Sequence, residues 1–311
     1  MQGAVTDKWL PDVSPADRTL DVALRTLKGR LGALLYYLPL AAQKADEDQE
    51  YVHQLRVWTR RATAALRLYE DMLPRRRYSW LMKQLKRVRR AANDARDCDV
   101  LIERLRKKPP SRQVKRWLES TQSERIEAQT RIVAVHERLW RDDRFSHRID
   151  KLLERVRARG EDNAGPAIDR FGDWARSRLR PMVERFFASI PDAQADEAAL
   201  HQFRIRGKEL RYAIEILAGA FADELRTQLY PAIEELQDRL GAINDLATAR
   251  ARLLRKIEET DDAKAVAGWR KLLVEEETHL EESRLEFEAW FTPLMIQDLR
   301  EGFEREIKGV T

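Results

Sequence analysis

Residues 53–73, HQLRVWTRRATAALRLYEDML, decide the fold, because residues 201–221, HQFRIRGKELRYAIEILAGAF, repeat their pattern. In both stretches apolar side chains recur every three or four residues, which predicts one buried flank of an α-helix. The opposite flank carries a row of cationic or imidazole side chains, made of His53, Arg56 and Arg60, and in the repeat of His201, Arg204, Lys208 and Arg211. Burial of the apolar flank is enough to fold such helices. The cationic row therefore needs an explanation of its own.

The repetition extends well beyond these two stretches. An offset of 148 residues aligns the chain with itself without a gap from about residue 24 to residue 105. The alignment pairs His53 with His201 and Asp97 with Asp245. A period of this length far exceeds the 20–50 residues of solenoid repeats. The chain is therefore predicted to contain two copies of one helical unit.

The composition predicts an all-α fold, because 36% of the residues are charged and only 12 are Gly and 11 Pro. We expect an extended lead-in over residues 1–15, a first helical half over 16–158, a linker over 159–167 and a second half over 168–311. A first helix is expected from about Ala16 to Leu38, ended by Pro39. Residues 112–158 read as one long helix or two, and their core candidates are Trp117, Ile126, Val133 and Leu139.

Charge is distributed unevenly along the chain. Residues 53–116 contain 20 Lys and Arg against 6 Asp and Glu, whereas residues 258–311 contain 7 against 15. The helix expected at 79–105 adds a second basic stripe, formed by Lys83, Lys86, Arg87 and Arg90. Crowded like charges raise the free energy of the folded state unless a bound anion compensates them. The basic section therefore predicts a polyanion partner.

The same sequence argues against several other classes of protein. Cys98 is the single cysteine, so an intrachain disulfide and a cysteine-rich metal site are excluded. The N-terminus lacks the pattern of a signal peptide, and the longest apolar run, residues 31–42, is too short to span a bilayer. We therefore expect a cytoplasmic protein with no membrane partner.

Three chemical alternatives are open for the polar residues. A metal site at His53 and His201 is disfavoured because their neighbours are Arg and Lys, and a catalytic role lacks a repeated Ser, Cys or carboxylate pair. The acids Asp97, Asp99 and Asp245 could hold Mg²⁺, although pairing with arginine or helix capping is favoured. Base stacking would use aromatic side chains beside the cations, and only Trp58 and Trp80 come close.

Taken together, HQLRVWTRR at 53–61 and HQFRIRGKELRYAIE at 201–215 resemble the CHAD family, the conserved histidine α-helical domain. LKRVRRAANDARDCDV at 85–100 and LQDRLGAINDLATA at 236–249 resemble the second element of each family half. The resemblance covers roughly residues 15–310. It implies two pseudo-symmetric antiparallel four-helix-bundle halves with long helices, and a central basic groove or pore that binds inorganic polyphosphate. No triphosphatase barrel is expected before residue 16, so the chain resembles a stand-alone member.

The resemblance also implies which residues contact the anion. These are His53, Arg56 and Arg60 in the first half, His201, Arg204, Lys208 and Arg211 in the second, and Lys83, Arg87 and Arg90 of the following stripe. The sequence departs from a symmetric pattern, because Thr63 stands opposite Arg211 in the alignment. The counterpart of the basic stripe contains acids instead: Glu234, Glu235 and Asp238. The first half is therefore expected to dominate binding.

The resulting prediction is a non-enzymatic protein that binds inorganic polyphosphate, with no metal and no cofactor. Arg67 and Lys86 complete the expected binding set, since they extend the two basic rows of the first half. Other polyanions are possible partners, and association with polyphosphate granules is one role that such binding could serve. A helical nucleic-acid-binding protein and a metal-dependent phosphohydrolase acting on polyphosphate are the alternatives.

Overall fold

All regular secondary structure that the computed structural model describes, in residues 7–161, 170–192 and 196–309, is helical. This confirms the predicted all-α class and its long helices. The α-helices are α1 (Thr19–Gln43), α2 (Glu50–Leu68), α3 (Arg75–Lys107), α4 (Arg112–Trp140), α5 (Arg144–Glu161), α6 (Phe171–Ala188), α7 (Glu197–Leu217), α8 (Tyr230–Glu258), α9 (Ala263–Trp290) and α10 (Pro293–Lys308). Most of the expected linker, 162–167, and residues 1–6 of the expected lead-in lie outside the described residues.

The contacts divide the chain into two compact units. Unit 1 comprises Met1–Pro110 and Val114–Ala175, and unit 2 comprises Ser111–Gln113 and Arg176–Thr311. The division between them falls within α6. The domain boundaries at 158 and 168, the pseudo-symmetric pairing of four-helix halves and the central groove remain predictions.

Unit 1 is built around α2, which packs between α1 and α3, while α5 packs on α1. The apolar flank predicted for α2 is buried, since Leu55, Leu66 and Tyr69 are fully inaccessible to solvent. Tyr69 stacks on Trp174 with ring centroids 4.9 Å apart and planes 4° from parallel. Each such side chain contributes about 1.5–3 kcal/mol through burial. The cationic row of α2 is thereby fixed on the flank that faces away from this core.

The first helix ends later than the sequence predicts. Pro39 lies inside α1, which continues to Gln43, so the prediction that Pro39 ends the helix is wrong. Proline removes one backbone hydrogen bond and crowds the preceding turn. The extra turn is retained because it buries Ala41 and Ala42 beside Leu38.

The stretch 112–158 forms two helices with a corner between them. Asp142 and Asp143 have φ of 55° and 48°, so the chain passes through left-handed backbone before α5 begins. Trp117 and Leu139 are buried as predicted, but Ile126 is 70% exposed, so its assignment to the core is wrong. Ile132 takes a buried position on α4 instead.

Unit 2 is held together by an aromatic cluster and by the packing of α8 on both α7 and α9. Phe203 on α7 lies 5.2 Å from Phe186 and 5.6 Å from Phe291, measured between ring centroids. Trp269 and Phe287, in the acidic C-terminal section, are buried. Across the described ranges, no helix combines the length and the apolar character needed to cross a membrane.

Candidate anion-binding site

One polar contact in unit 1 shows the register of α2 against α3. Arg56 donates a hydrogen bond from Nε to Oδ1 of Asn93 at 2.9 Å, and its Nη2 lies 3.7 Å from Oδ1 of Asp97. A short turn joins the two helices, which run antiparallel. Arg60 lies one helical turn after Arg56 on α2, and Arg89 lies one turn before Asn93 on α3. The register therefore places Arg60 opposite Arg89.

Arg89 is partly buried and lies near other cations. Burial lowers the pKa of the Arg89 guanidinium, and three neighbouring cations lower it further: Arg67, Arg60 and Arg90. These four side chains are defined here as the arginine cluster. Arg60 and Arg89 are partly buried, whereas Arg67 and Arg90 are exposed. Guanidinium groups stay protonated in proteins, so the cluster concentrates positive charge at the α2–α3 interface.

The cluster contains side chains without acidic neighbours. In the part of the chain that the structure describes, no carboxylate forms an ion pair with Arg60, Arg89 or Arg90. The same holds among those residues for Lys83 and Lys86, both exposed on α3. Uncompensated like charges at a partly buried interface destabilise the folded state. An external anion at this face would relieve that repulsion.

His53 lies next to the cluster on the same row of α2. Burial lowers the pKa of His53, and Glu50 partly opposes this effect. Three arginines lower the pKa further: Arg96, Arg56 and Arg60. The Nδ1 atom of His53 is buried and forms no hydrogen bond within the described structure. The imidazole is therefore held neutral in a cationic environment, where it can donate one hydrogen bond to an oxyanion.

The structure separates the basic stripe predicted on α3 into two parts. Arg90 belongs to the arginine cluster, but Arg87 donates a hydrogen bond to Oε1 of Gln84 at 2.9 Å. Burial lowers the pKa of Arg138 on α4, and Arg87 lowers it further. Arg87 therefore lies beside α4, on a different side of α3 from the contact between Arg60 and Arg89.

Unit 2 repeats the helix-pair register in its own contacts. A Cβ added at Gly241 would lie 3.7 Å from Nη2 of Arg204, and a side chain at Gly207 would collide with Gln237. Further along, Nη1 of Arg211 lies 3.5 Å from Oε1 of Glu234. Residue 204 thus faces 241 on α8, as residue 56 faces 93 on α3, and both pairs are related by the offset of 148 residues.

The chemistry along this register differs in unit 2. The hydroxyl oxygen of Tyr230 lies 3.0 Å from Oε1 of Glu215 and 3.0 Å from Oε1 of Glu234, so the two carboxylates share its single proton. Burial tends to lower the pKa of Arg211, but the neighbouring Tyr212, Tyr230 and Glu215 outweigh it and raise the pKa. Arg211 is thus part of a network that supplies its own negative charge. Lys208, on the same row of α7, is partly buried.

The N-terminal end of the α7 row opens into a pocket of about 300 Å³. His201 lies in it with Nδ1 3.3 Å from Oδ1 of Asn244, and Arg204, Arg255 and Arg284 also line it. One acid shares the pocket, since Oε1 of Glu197 lies 3.4 Å from Nη2 of Arg284. The predicted binding residues of unit 2 therefore fall into two local sites. One is this pocket with His201 and Arg204, and the other is the network with Arg211.

A cavity of about 760 Å³ lies elsewhere in unit 1. It is lined mainly by apolar side chains of α1, α5 and the N-terminal segment, among them Trp9, Tyr36 and Phe145. None of the predicted binding residues line it. Its apolar walls suit a polyanion poorly, because a buried charge requires paired or hydrogen-bonding partners.

Two arginines of the unit 1 site were missed by sequence reasoning: Arg89 and Arg96. Arg89 adjoins the predicted stripe but does not continue its helical spacing, so the sequence pattern left it out. The antiparallel register was the missing signal, because it places Arg89 opposite Arg60. Arg96 is close enough to His53 to lower the pKa of its imidazole.

The acids considered as Mg²⁺ ligands have other partners. Asp99 accepts a hydrogen bond from Nε of Arg125 at 2.7 Å, and Asp97 faces Arg56. Asp245 accepts a weak hydrogen bond from Nδ2 of Asn244 at 3.5 Å. No group of three or more His, Cys, Asp or Glu side chains within 7–161, 170–192 and 196–309 is placed to hold a metal ion.

The two tryptophans near the cations do not form a platform for bases. Trp58 is 1% exposed and carries the Arg61 guanidinium 4.8 Å from its ring centroid. Trp80 is partly buried, and the guanidinium of Arg148 lies 4.9 Å from its ring centroid. Nucleobase stacking needs an exposed ring face beside the cations. An arginine lies over each ring, and Trp58 is also buried in the core, so neither ring presents a free face.

Comparison with known proteins identifies the family of the chain. The model of the CHAD domain family matches residues 18–254, a range that contains both cationic rows. The chain belongs to the CHAD domain family. This CHAD domain is similar in fold to the crystal structure of the CHAD domain from the plant Ricinus communis, with a TM-score of 0.64 and 21% identity over 96% of this chain and 94% of that chain.

A second solved structure is similar to this CHAD domain. PptA from Streptomyces chartreusis aligns with a TM-score of 0.60 and 16% identity, over 93% of this chain and 100% of that chain. At these identities both likenesses establish the fold alone. No curated protein sequence matches the chain.

Proposed function

We propose that this CHAD domain binds inorganic polyphosphate without transforming it, and that the α2–α3 face of unit 1 is the binding surface. The observation that carries the proposal is the arginine cluster, in which Arg60, Arg89 and Arg90 have no carboxylate partner among the described residues. The resemblance to the CHAD family points to the same ligand. Binding of this kind would suit granule association in the cytoplasm.

The chemistry of the ligand matches the spacing of the cations. A linear polyphosphate carries negative charge on every phosphate, so several arginines along one row can be neutralised by one molecule. Arginine forms bidentate hydrogen bonds with phosphate oxygens, while lysine adds a point charge. The row from Arg56 to Arg67 spans about 16 Å at 1.5 Å per residue. Lys83, Lys86 and His53 border the same face and offer further donors.

Titration with polyphosphate at several salt concentrations tests the proposal. Neutralising phosphates releases counterions, so the affinity should fall steeply as salt rises. Arg60→Ala should reduce the slope of log K against log salt by roughly one. Lys107→Ala, at an exposed lysine already paired with Glu103, is the matched control and should leave the slope unchanged. An absence of binding, or an affinity that does not respond to salt, would contradict the proposal.

The two alternatives are separated by two further measurements. Competition between polyphosphate and single-stranded RNA at equal salt should favour polyphosphate, and a preference for RNA would support the nucleic-acid alternative. Incubation with long-chain polyphosphate and Mg²⁺ or Mn²⁺ should leave the chain length unchanged. Shortened chains would establish a phosphohydrolase and overturn the non-enzymatic assignment.

A further inference from the structure

We propose that Arg89 is the central phosphate contact of the unit 1 site, and that the corresponding positions in unit 2 are neutralised internally and do not bind polyphosphate. This inference rests on the proposed function and specifies which part of the duplicated chain performs it. It also adds Arg89 to the residues that sequence reasoning identified.

The shared register makes the two helix pairs comparable position by position. In unit 2, α7 faces α8 through Arg204 with Gly241 and Arg211 with Glu234. The offset of 148 residues converts these pairs into Arg56 with Asn93 and Thr63 with Lys86. The first of the converted pairs is the hydrogen bond observed between α2 and α3. Differences in charge along this register therefore reflect the side chains rather than a shift of one helix past the other.

The side chains along this register change from cations in unit 1 to mainly acids and amides in unit 2. The unit 1 members are Arg60, Arg67, Lys86, Arg89 and Arg90, and their counterparts are Lys208, Glu215, Glu234, Gln237 and Asp238. The carboxylate of Glu215 is 1% exposed and accepts the hydrogen bond of Tyr230. Unit 2 therefore folds with its own negative groups at positions where unit 1 has arginine or lysine.

The carboxylates of unit 2 indicate what the unit 1 positions require. Oε1 of Glu234 lies 3.5 Å from Arg211, so an oxyanion already occupies the space beside that guanidinium. In unit 1 the corresponding pair is Thr63 with Lys86, and Lys86 has no carboxylate partner within the described residues. A phosphate oxygen can supply to Lys86 the negative partner that Glu234 supplies to Arg211.

Arg89 is the member best placed to hold such a phosphate. It is partly buried between α2 and α3, close to Arg60, Arg67 and Arg90. Its counterpart Gln237 is 4% exposed and uncharged. A charge-assisted hydrogen bond strengthens as its surroundings exclude water, so loss of Arg89 should weaken binding more than loss of an exposed arginine.

Matched substitutions test the inference in the full-length chain with long-chain polyphosphate as the probe. Arg89→Gln, which copies the unit 2 residue, should weaken binding at least tenfold, and Arg89→Lys should restore part of the loss. Arg60→Ala should weaken binding about fivefold, whereas Lys208→Ala at the equivalent position should change it less than twofold. Circular dichroism and the thermal midpoint establish that each variant is folded.

An exposed pair of positions keeps the test decisive if Arg89 variants fold poorly. Arg90→Ala should weaken binding, while Asp238→Ala, its counterpart, should leave the affinity unchanged or slightly increased. Equal losses in Arg60→Ala and Lys208→Ala would overturn the inference while leaving the proposed function intact. Failure of the unmodified protein to bind polyphosphate would refute the proposed function itself.

Discussion

Arg56 and Asn93 are joined by a 2.9 Å hydrogen bond from the guanidinium Nε to the amide Oδ1, which bridges α2 and α3. The bond uses the Nε edge of the guanidinium, and Nη2 of Arg56 lies near Asp97. A residue predicted to bind an anion therefore also contacts the neighbouring helix. Arg56 is a poor position at which to test binding alone.

Asn93→Ala removes this bond without removing a charge. We expect the free energy of unfolding to fall by about 0.5–1.5 kcal/mol, the usual net contribution of one hydrogen bond. Urea denaturation monitored by circular dichroism measures the loss. Gln122→Ala, at an exposed position on α4, is the control and should leave stability unchanged. Equal stability of Asn93→Ala and the unmodified protein would show that the contact does not stabilise the packing of α2 on α3.

His53 should make stability depend on pH. Its folded-state pKa is lowered, first by burial, so below the unfolded value of about 6.5 the unfolded chain binds more protons. The free energy of unfolding should therefore rise with pH between the lowered folded-state pKa and the unfolded pKa of about 6.5. It should decline as pH falls below about 6.5. His53→Gln should flatten this part of the profile, as measured by urea denaturation at a series of pH values.

A second histidine provides the comparison for that experiment. Burial also lowers the pKa of His136, so its contribution should persist in His53→Gln and disappear in His136→Gln. A pH profile that is identical in His53→Gln and the unmodified protein would mean that His53 titrates normally in the folded state.

The pair of Asp99 and Arg125 should be important for stability. The Asp99 side chain is 2% exposed, and Nε of Arg125 lies 2.7 Å from its Oδ1. Arg125→Ala would leave a buried carboxylate without its partner, at a cost of about 3–5 kcal/mol. Thermal and chemical denaturation measure the effect. Lys115→Ala, at an exposed pair with Glu119 on the same helix, should cause little change, and comparable losses in both variants would contradict the argument.

The buried network of unit 2 predicts the effect of removing the hydroxyl oxygen of Tyr230. Tyr230→Phe removes the donor shared by Glu215 and Glu234, and Glu215 is almost completely buried. We expect a loss of about 1–3 kcal/mol in the free energy of unfolding, because a buried carboxylate loses one of its hydrogen bonds. Tyr36→Phe, at a residue that is 47% exposed, should have little effect in the same assay.

The sequence was sufficient to predict the helices and the cationic row on α2, because both depend on local periodicity. Leu55, Leu66 and Tyr69 are buried as their spacing predicts. Pro39 and Ile126 were assigned wrongly for different reasons. Burial of the following alanines outweighs the cost of a proline, and a long charged helix such as α4 leaves more than one possible buried face.

The arginine cluster could be predicted only in part. Arg60 and Arg67 follow from the row on α2, but Arg89 depends on the register between two helices, which sequence periodicity does not contain. Likewise, the acids opposite Arg211 were visible as a departure from symmetry. Their hydrogen bonds to Tyr230 required coordinates.

The corner between α4 and α5 limits which amino acids the chain can accept there. Asp142 and Asp143 both have positive φ, a conformation that only glycine, asparagine and aspartate adopt readily. Homologous chains that turn at this point should draw both positions from those three residue types. A β-branched residue at either position would indicate that the homologue takes a different path between the two helices.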